Sequence, residues 1–522
     1  MRPCSHPSLS SIIFLLALWL GGVCLGQTKP NILIAISDDQ SWCHASAYGS
    51  KMVKTPHFDA IAKAGVLFTH AFAPSPGCSP SRAAFLTGRH TWQIEHAGTH
   101  ASFFDPKYVT FPDRLAEDGY ATGHVGKGWA PGNWKKLGRK VNPAGPKMPG
   151  PKKGSYAVGF EHFLKEVRKP KQPFCFWFGS SDPHRSFEKG AGLGKGKRLE
   201  DAEVPSFLPD TPEVRSDLLD YTFEVERFDD DLGKMIALLE DAGELGNTIV
   251  IATSDNGMAF PRAKANCYEY GIRMPLAIQW PKEIPKGRVI DDLVGFVDLT
   301  ATLYEMTGVA PPEAFPIVGT SLATTLRSDR QGLVETDRTA VYSARERHSS
   351  SRYQTLGYPQ RCIRTAEYLY IYNFAPERCP AGPSRKYAKG TTLGPEHGGY
   401  HDIDACPTLN HLIAKRDDPE LGKFLSLAVA HRPAEELYAV KEDPGCLDNL
   451  ANKPSHRATA YALRGQLSAY LKKTGDARIL GNGDVWETYP RVSSLRWFPI
   501  PDWATKNPDK VPKLDWLEAR RP

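Results

Sequence analysis

The run Asn31-Ile-Leu-Ile-Ala-Ile36 is apolar at every position after its asparagine, so a strand built from it has no face to give to water. Such a strand is stable only between two covering layers, which is the arrangement of α/β architectures. Ala121 to Val125, Phe174-Cys-Phe-Trp-Phe178 and Thr248-Ile-Val-Ile-Ala-Thr253 share this character. Helical patterns fall between them. One covers His57 to Ala64; the longest covers Ser216 to Ala242, where Leu232, Met235, Leu238 and Leu239 form an apolar stripe and Gly243 is a stop. Strands alternating with helices predict a doubly wound α/β domain with a mixed or parallel sheet over residues 27–344.

From about Arg345 the pattern changes. Glu367-Tyr-Leu-Tyr-Ile-Tyr372 alternates like an antiparallel strand, Ala458 to Leu471 reads as a helix, and a Gly/Pro-rich stretch at 374–400 lies between such pieces. A smaller C-terminal α+β domain, an antiparallel sheet plus a helix, is therefore expected over residues 345–475. The segment 476–522, with Trp486, Trp497, Trp503 and Trp516 among its prolines, is expected to wrap over the surface. At the other end Arg2, the apolar run Ile12 to Leu20 and Cys24-Leu25-Gly26 read as a signal peptide over residues 1–26. That run is short for a membrane span and no later segment qualifies, so export to a periplasmic or extracellular space is expected.

A formal charge of +6 over 522 residues is too mild for a nucleic-acid partner, though a local basic lining for an anionic substrate is compatible with it. Beyond residue 26, Cys43, Cys78, Cys175, Cys267, Cys362, Cys379, Cys406 and Cys446 are too dispersed for a disulfide scaffold or a metal knuckle. Cys362, Cys379 and Cys406 lie close together in a Pro/Gly-rich region where one bridge fits.

Polar clusters follow the ends of the apolar runs, the edge of an open α/β sheet where ligands bind. Ser37-Asp38-Asp39 follows the first run, and Ser254-Asp255-Asn256-Gly257 follows the fourth. Adjacent carboxylates repel unless they are solvated or share a cation. Each cluster alone is an ordinary turn signal. Together, Asp38, Asp39, Asp255 and Asn256 offer four hard oxygen donors, which suit Ca²⁺ or Mg²⁺ and not zinc or copper.

Cys78-Ser79-Pro80-Ser81-Arg82, with the trailing Leu86-Thr87-Gly88-Arg89, resembles the Cys-x-Pro-x-Arg signature of the type I, formylglycine-dependent sulfatases of the alkaline phosphatase superfamily. The resemblance runs along most of the chain. Gly126-Lys127 is similar to the family's Gly-Lys strand and Asp182-Pro183-His184 to its active-site histidine turn; Lys264 to Tyr268 with Glu269-Tyr-Gly271-Ile-Arg273-Met-Pro275 is similar to its lysine and Glu-x-Gly-x-Arg-x-Pro stretch. The resemblance implies an alkaline-phosphatase-like fold with a small C-terminal sheet domain. It implies that a formylglycine-generating enzyme oxidises Cys78 to formylglycine (3-oxoalanine). It further implies one Ca²⁺ per chain on Asp38, Asp39, the converted Cys78, Asp255 and Asn256, with Cys78, Arg82, Lys127, His184 and Lys264 as catalytic residues.

The implied chemistry is sulfate hydrolysis. A diol hydroxyl at position 78, polarised by Ca²⁺ and helped by Asp255, attacks sulfur; His184 with Lys264 protonates the departing atom; Arg82 and the lysines hold the charge. One position departs from the family pattern. A histidine usually follows the Gly-Lys lysine by two residues, and here Trp129 stands there, a residue that cannot accept a proton. His44, His96, His100 and His124 are the alternatives for the sulfate-release step, as is water. The implied substrate is a sulfated carbohydrate, cleaved at an O-sulfate or, from local similarity to the heparan N-sulfatase branch around Arg185 and Phe260-Pro261, at an N-sulfate. Trp129, Trp134, Tyr268 and Tyr270 could stack on sugar rings or simply pack. A phosphatase or phosphodiesterase of the same superfamily and a non-catalytic, calcium-bound polysaccharide-binding protein are the competing readings.

Overall fold

The protein is described from a computed structural model covering residues 1, 29–151 and 154–520; the signal peptide read from the first 26 positions lies, Met1 apart, outside the described residues. Among these, eight strands form one mixed sheet: β1 (Asn31–Ser37), β2 (Val66–Phe72), β3 (Ala121–Gly126), β4 (Phe174–Gly179), β5 (Thr248–Ser254), β6 (Arg273–Gln279), β7 (Arg288–Ile290) and β8 (Val294–Gly295). Their order is β3-β4-β1-β5-β6-β2-β7, with β8 also on β2. The run β3-β4-β1-β5 is parallel, whereas β6 lies antiparallel to both β5 and β2.

The unbroken apolarity of β1 is spent on two cores. Ile32, Ile34 and Ile36 point to one face with Trp177, Ile249 and Ile251, under Phe85 and Leu86 of the helix Cys78–Thr87 and Leu299 and Leu303 of the helix Phe296–Thr307. Leu33 and Ala35 point to the other with Phe174, Phe176, Phe178 and Val250, under Phe228, Leu232 and Met235 of the helix Pro212–Asp241. Each fully buried aliphatic side chain contributes about 1.5–3 kcal/mol relative to exposure, so both layers are needed to hold this strand.

A second sheet, antiparallel and ordered β14-β11-β10-β9, comprises β9 (Val341–Arg345), β10 (Gln360–Arg364), β11 (Tyr368–Asn373) and β14 (Glu435–Ala439), with a short hairpin of β12 (Tyr387–Lys389) and β13 (Thr392–Leu393) between. Its alternation sorts two faces. Ile363, Tyr370 and Leu437 pack on Leu463, Leu467 and Leu471 of the helix Arg457–Lys473. Leu369, Ile371 and Tyr438 pack on Phe72, Cys267, Tyr268 and Ile272 of the main domain. A smaller α+β domain thus backs the loop that precedes β6.

An ion pair fastens that contact. Glu269, fully buried, accepts from Arg364 Nε and Nη2 at 2.9 Å each and from Arg273 Nη1 at 3.2 Å. Much of the Glu-x-Gly-x-Arg stretch is therefore a joint between the two sheets. The bridge expected among Cys362, Cys379 and Cys406 is absent: all described cysteines are free thiols. These three point to different partners, Cys362 to the Ser343 carbonyl (3.5 Å), Cys379 to His431 (3.2 Å), and Cys406 to the Leu409 N–H (3.3 Å) at a helix start. The tail also does more than wrap: Trp486 is buried in the core of the smaller domain, and the Val492 N–H reaches the Ala101 carbonyl at 2.8 Å. No helix among the described residues is long and apolar enough to cross a membrane.

Candidate active site

Strand register assembles the site. Ile36 pairs with Gly179 and Gly179 with Gly126, while Ser37 pairs with Ser254. Four parallel strands therefore end on one line, and the residues after them, Lys127, Ser180 to His184, Asp38-Asp39 and Asp255-Asn256, leave from the same edge. Antiparallel β6 starts at that edge and β2 finishes there, Phe72 opposite Arg273; six residues beyond Phe72, Cys78 opens its helix. Gly179 allows the convergence, since a Cβ there would lie 1.8 Å from the Lys127 carbonyl.

The side chains form one linked cluster. The Cys78 thiol lies 3.5 Å from Asp38 Oδ1 and 3.8 Å from Asp39 Oδ1. Lys127 Nζ donates to both Asp38 oxygens at 2.8 and 2.6 Å. Arg82 Nε donates to Asp255 Oδ2 at 2.7 Å and Nη1 to the Lys127 carbonyl at 2.7 Å. Lys264 Nζ donates to Asp39 Oδ2 at 2.6 Å, and Asn256 Nδ2 to Asp39 Oδ1 at 2.7 Å. His184 Nε2 stands 3.9 Å from Asp39 Oδ2; its Nδ1–H is taken by the Arg185 carbonyl at 2.6 Å, which leaves Nε2 facing the cluster. Asp39 itself holds a left-handed backbone (φ 77°), a strained conformation for a non-glycine residue of the kind that gathers at functional sites.

Local supports fix these positions. The turn carrying His184 is held by Arg185, which clamps Asp217 through two bonds of 2.7 and 2.9 Å and lies between the rings of Phe187 and Phe260, 4.3 Å from each. The loop carrying Lys264 is tied to the turn before Cys78 where the Ala265 N–H meets the Pro76 carbonyl at 2.7 Å.

Electrostatics follow from burial and neighbours. Burial pushes the Cys78 thiol well up, and Asp38 and Asp255 add to this against Lys127 and Lys264; as a thiol it stays protonated and is a poor nucleophile. Burial alone would raise Asp38, but Lys127, His184, Arg82 and Lys264 hold it well below the usual carboxylate range. Asp255 is pushed up to about 6, by burial first and by Asp38 and Asp39, against Arg82 and Lys127.

The donor set suits a hard cation. Single donor atoms of Asp38, Asp39, Cys78 and Asp255 lie within 4.8 Å of one another, and Asn256 Oδ1 is buried with no hydrogen-bond partner. A buried acceptor without a donor calls for a missing partner, and a divalent ion among three carboxylates is one. Arg82 Nη2, also buried and unpartnered, lies 4.0 Å from Asp38, a donor left over for an anion.

Some residues fall elsewhere than the sequence suggested. Trp129 is buried; its indole N–H donates to the Ser79 carbonyl at 3.0 Å and its ring packs edge-on to Phe104, so it is a wall behind the start of the helix that carries Cys78. Tyr268 and Tyr270 are packing residues too, the first hydrogen-bonded to Glu436 at 2.7 Å and the second packed edge-on against Trp42 and Phe207. Ring nitrogens of His44, His96 and His124 are engaged by Tyr221, Ser102 and the Gly145 carbonyl. His100 Nδ1 is buried without a partner, its ring 4.6 Å from that of His348. Two residues escaped sequence reasoning. Asp404, 3.0 Å from Lys264, and His348, beside Gly77, come from the smaller domain on segments with no motif, and nothing local marks them.

The sequence model of the Sulfatase family matches residues 30–309, and that of the N-sulphoglucosamine sulphohydrolase C-terminal region matches residues 262–375. The chain is 28% identical to human N-sulphoglucosamine sulphohydrolase over 93% of its own length and 97% of that protein. It is 28% identical to an ulvan-active sulfatase of Formosa agariphila over 86% of its length and 81% of that protein. Among solved structures, one in complex with its substrate D-glucosamine-2-N,6-O-disulfate superposes with a TM-score of 0.61 at 20% identity, covering 88% of this chain and 99% of that one.

Proposed function

Since this chain belongs to the sulfatase family and is an enzyme, we propose that it hydrolyses sulfate from a sulfated carbohydrate, using a formylglycine made from Cys78 and a bound Ca²⁺. The observation that carries this reading is the nesting of Cys78 between two acidic strand ends, with Arg82, Lys127 and Lys264 around them. The phosphatase and the non-catalytic binder weighed from the sequence give way to it. The substrates named for human N-sulphoglucosamine sulphohydrolase and the ulvan-active sulfatase support a carbohydrate.

A protonated, buried thiol is a poor nucleophile; converted to formylglycine and hydrated, position 78 would present an oxygen nucleophile instead. A hard divalent cation held by Asp38, Asp39, Asp255 and Asn256 would supply charge that makes this oxygen more acidic. The chain's own residues do the rest. Arg82, anchored on Asp255 and the Lys127 carbonyl, fixes position 78 and aims its free Nη2 at the site. Lys127 and Lys264 place two ammonium groups beside the nucleophile, where sulfate oxygens must sit. His184, its Nδ1–H tied to a carbonyl, presents Nε2, which as the N–H of an imidazolium gives its proton to the departing atom. Preorganised donors of this kind are each worth about 10²–10³ in rate.

The test is turnover of an aryl sulfate against an aryl phosphate by the converted chain, with mass spectrometry of the Cys78 peptide. Expected are formylglycine at position 78, a strong preference for sulfate, and no turnover by a Cys78→Ala variant that unfolds like the parent. A fully active Cys78→Ala chain would overturn the reading.

A further inference from the structure

We propose that Asp404 reads the atom linking sulfate to the sugar, so that this site favours an N-linked sulfate over a sulfate ester. The inference rests on the sulfatase reading above and names the substrate class within it.

Asp404 belongs to the smaller domain yet reaches the site: donor atoms of Asp39, His184 and Asp404 lie within 4.8 Å of one another. Its side chain is 31% exposed where Asp39 is 0%, so it stands on the open, substrate side of the cluster. Its placement is built. Two residues earlier, Asp402 is buried and pinned by Arg345 at 2.6 Å, by Arg352, by the Ser349 N–H at 2.9 Å and by Ser351 Oγ at 2.9 Å. Lys264 takes Asp404 Oδ2, and no protein donor among the described residues takes Oδ1.

A carboxylate here is unexpected. Burial would raise it, but Lys264, His184 and His348 hold it well below the usual range, so it remains an anion at the mouth of a pocket for an anion. That arrangement weakens binding unless the substrate brings a donor to it. His184, placed to protonate the departing atom, is its neighbour, so the donor must sit at or next to that atom. In a sulfate ester the linking oxygen has lone pairs only and faces the carboxylate unfavourably. In a sulfamate the linking nitrogen carries an N–H, which Oδ1 can accept as a charge-assisted bond. The overall reaction is ordinary hydrolysis: the S–N bond breaks, water supplies the oxygen that sulfur gains, and its protons end on the amine and on sulfate.

The experiment uses two isosteric probes, N-sulfoglucosamine and glucose 2-sulfate, with the converted chain and its Asp404→Asn variant. The parent is expected to favour the N-sulfate in kcat/KM by about tenfold or more, the effect of one charge-assisted bond. In Asp404→Asn that ratio is expected to collapse, because an amide can donate to an ester oxygen. Loss of the Lys264 contact affects both probes and cancels in the ratio. An equal fall on both probes, or a parent that prefers the ester, overturns the proposal. Calorimetric binding of the same probes to Cys78→Ala, with and without Asp404→Asn, separates the two readings. An Asp404-dependent preference in binding without turnover by the converted parent sinks the sulfatase reading alone, and binding without preference sinks the role of Asp404.

Discussion

Ser37 and Ser254 face each other as the last rung between β1 and β5, although they stand 217 positions apart in the chain. Because the two strands are parallel and in step, the residues that follow each serine emerge side by side. The Asp39 N–H then donates to Asp255 Oδ1 at 3.1 Å and Asn256 to Asp39. Two turns that each look ordinary become one acidic pocket.

That pocket makes metal removal informative. Chelation is expected to lower the melting temperature and Ca²⁺ to restore it, with stabilisation of about 2.7 kcal/mol at a hundredfold excess over Kd. Zn²⁺ should do less, since the donors are oxygens. Asp38→Asn should remove the Ca²⁺ response in differential scanning calorimetry; an unchanged response would place the cation elsewhere.

Arg82 joins Asp255 and the Lys127 carbonyl through separate nitrogens of one planar fork. Lysine cannot reproduce both bonds, so Arg82→Lys is expected to lose most activity. Arg82→Ala leaves Asp255 buried without its cation and should cost about 3–5 kcal/mol in urea unfolding. A variant as stable as the parent would show that Asp255 finds another partner.

Glu269 tests the joint between the sheets. Glu269→Gln leaves Arg364, itself 1% exposed, without its carboxylate, and about 3–5 kcal/mol of stability should go with it. Hydrogen exchange should show β10 losing protection before β1. Uniform loosening would mean that the two domains unfold as one unit regardless of this pair.

Asp229 accepts the N–H groups of His57 (3.0 Å) and Phe58 (2.7 Å) at the start of the helix Pro56–Ala64, and burial pushes its carboxyl from 3.8 up to about 7. The folded state then binds more protons than the unfolded one between those values. Stability from this group is therefore greatest at low pH and falls as pH rises through that window, by at most about 1.4 kcal/mol per pH unit. In Asp229→Asn that slope should vanish from the pH dependence of urea unfolding, and an identical slope would rule the group out.

What was legible in the sequence is what depends on neighbours in the chain. The doubled-faced apolarity of Ile32 to Ile36 required covering helices, and both layers are present. The strand-end carboxylates were visible because each cluster follows an apolar strand, whereas Cys78 with its Pro-x-Arg, Lys127, His184 and Lys264 were singled out by their resemblance to a family pattern. Strand order was not legible, since apolar runs do not say which run they will pair with; only the closed hydrogen-bond ladder puts β4 beside β1 and turns β6 antiparallel. The same holds for residues whose meaning is a distant partner. Trp129 became a wall because Ser79 and Phe104 surround it, Glu269 a joint because Arg364 arrives from 95 residues away, and Asp404 part of the site because Lys264 arrives from 140. Periodicity and turn chemistry act over a few residues, whereas burial and charge pairing act across space, and only the packed chain sets which surfaces meet.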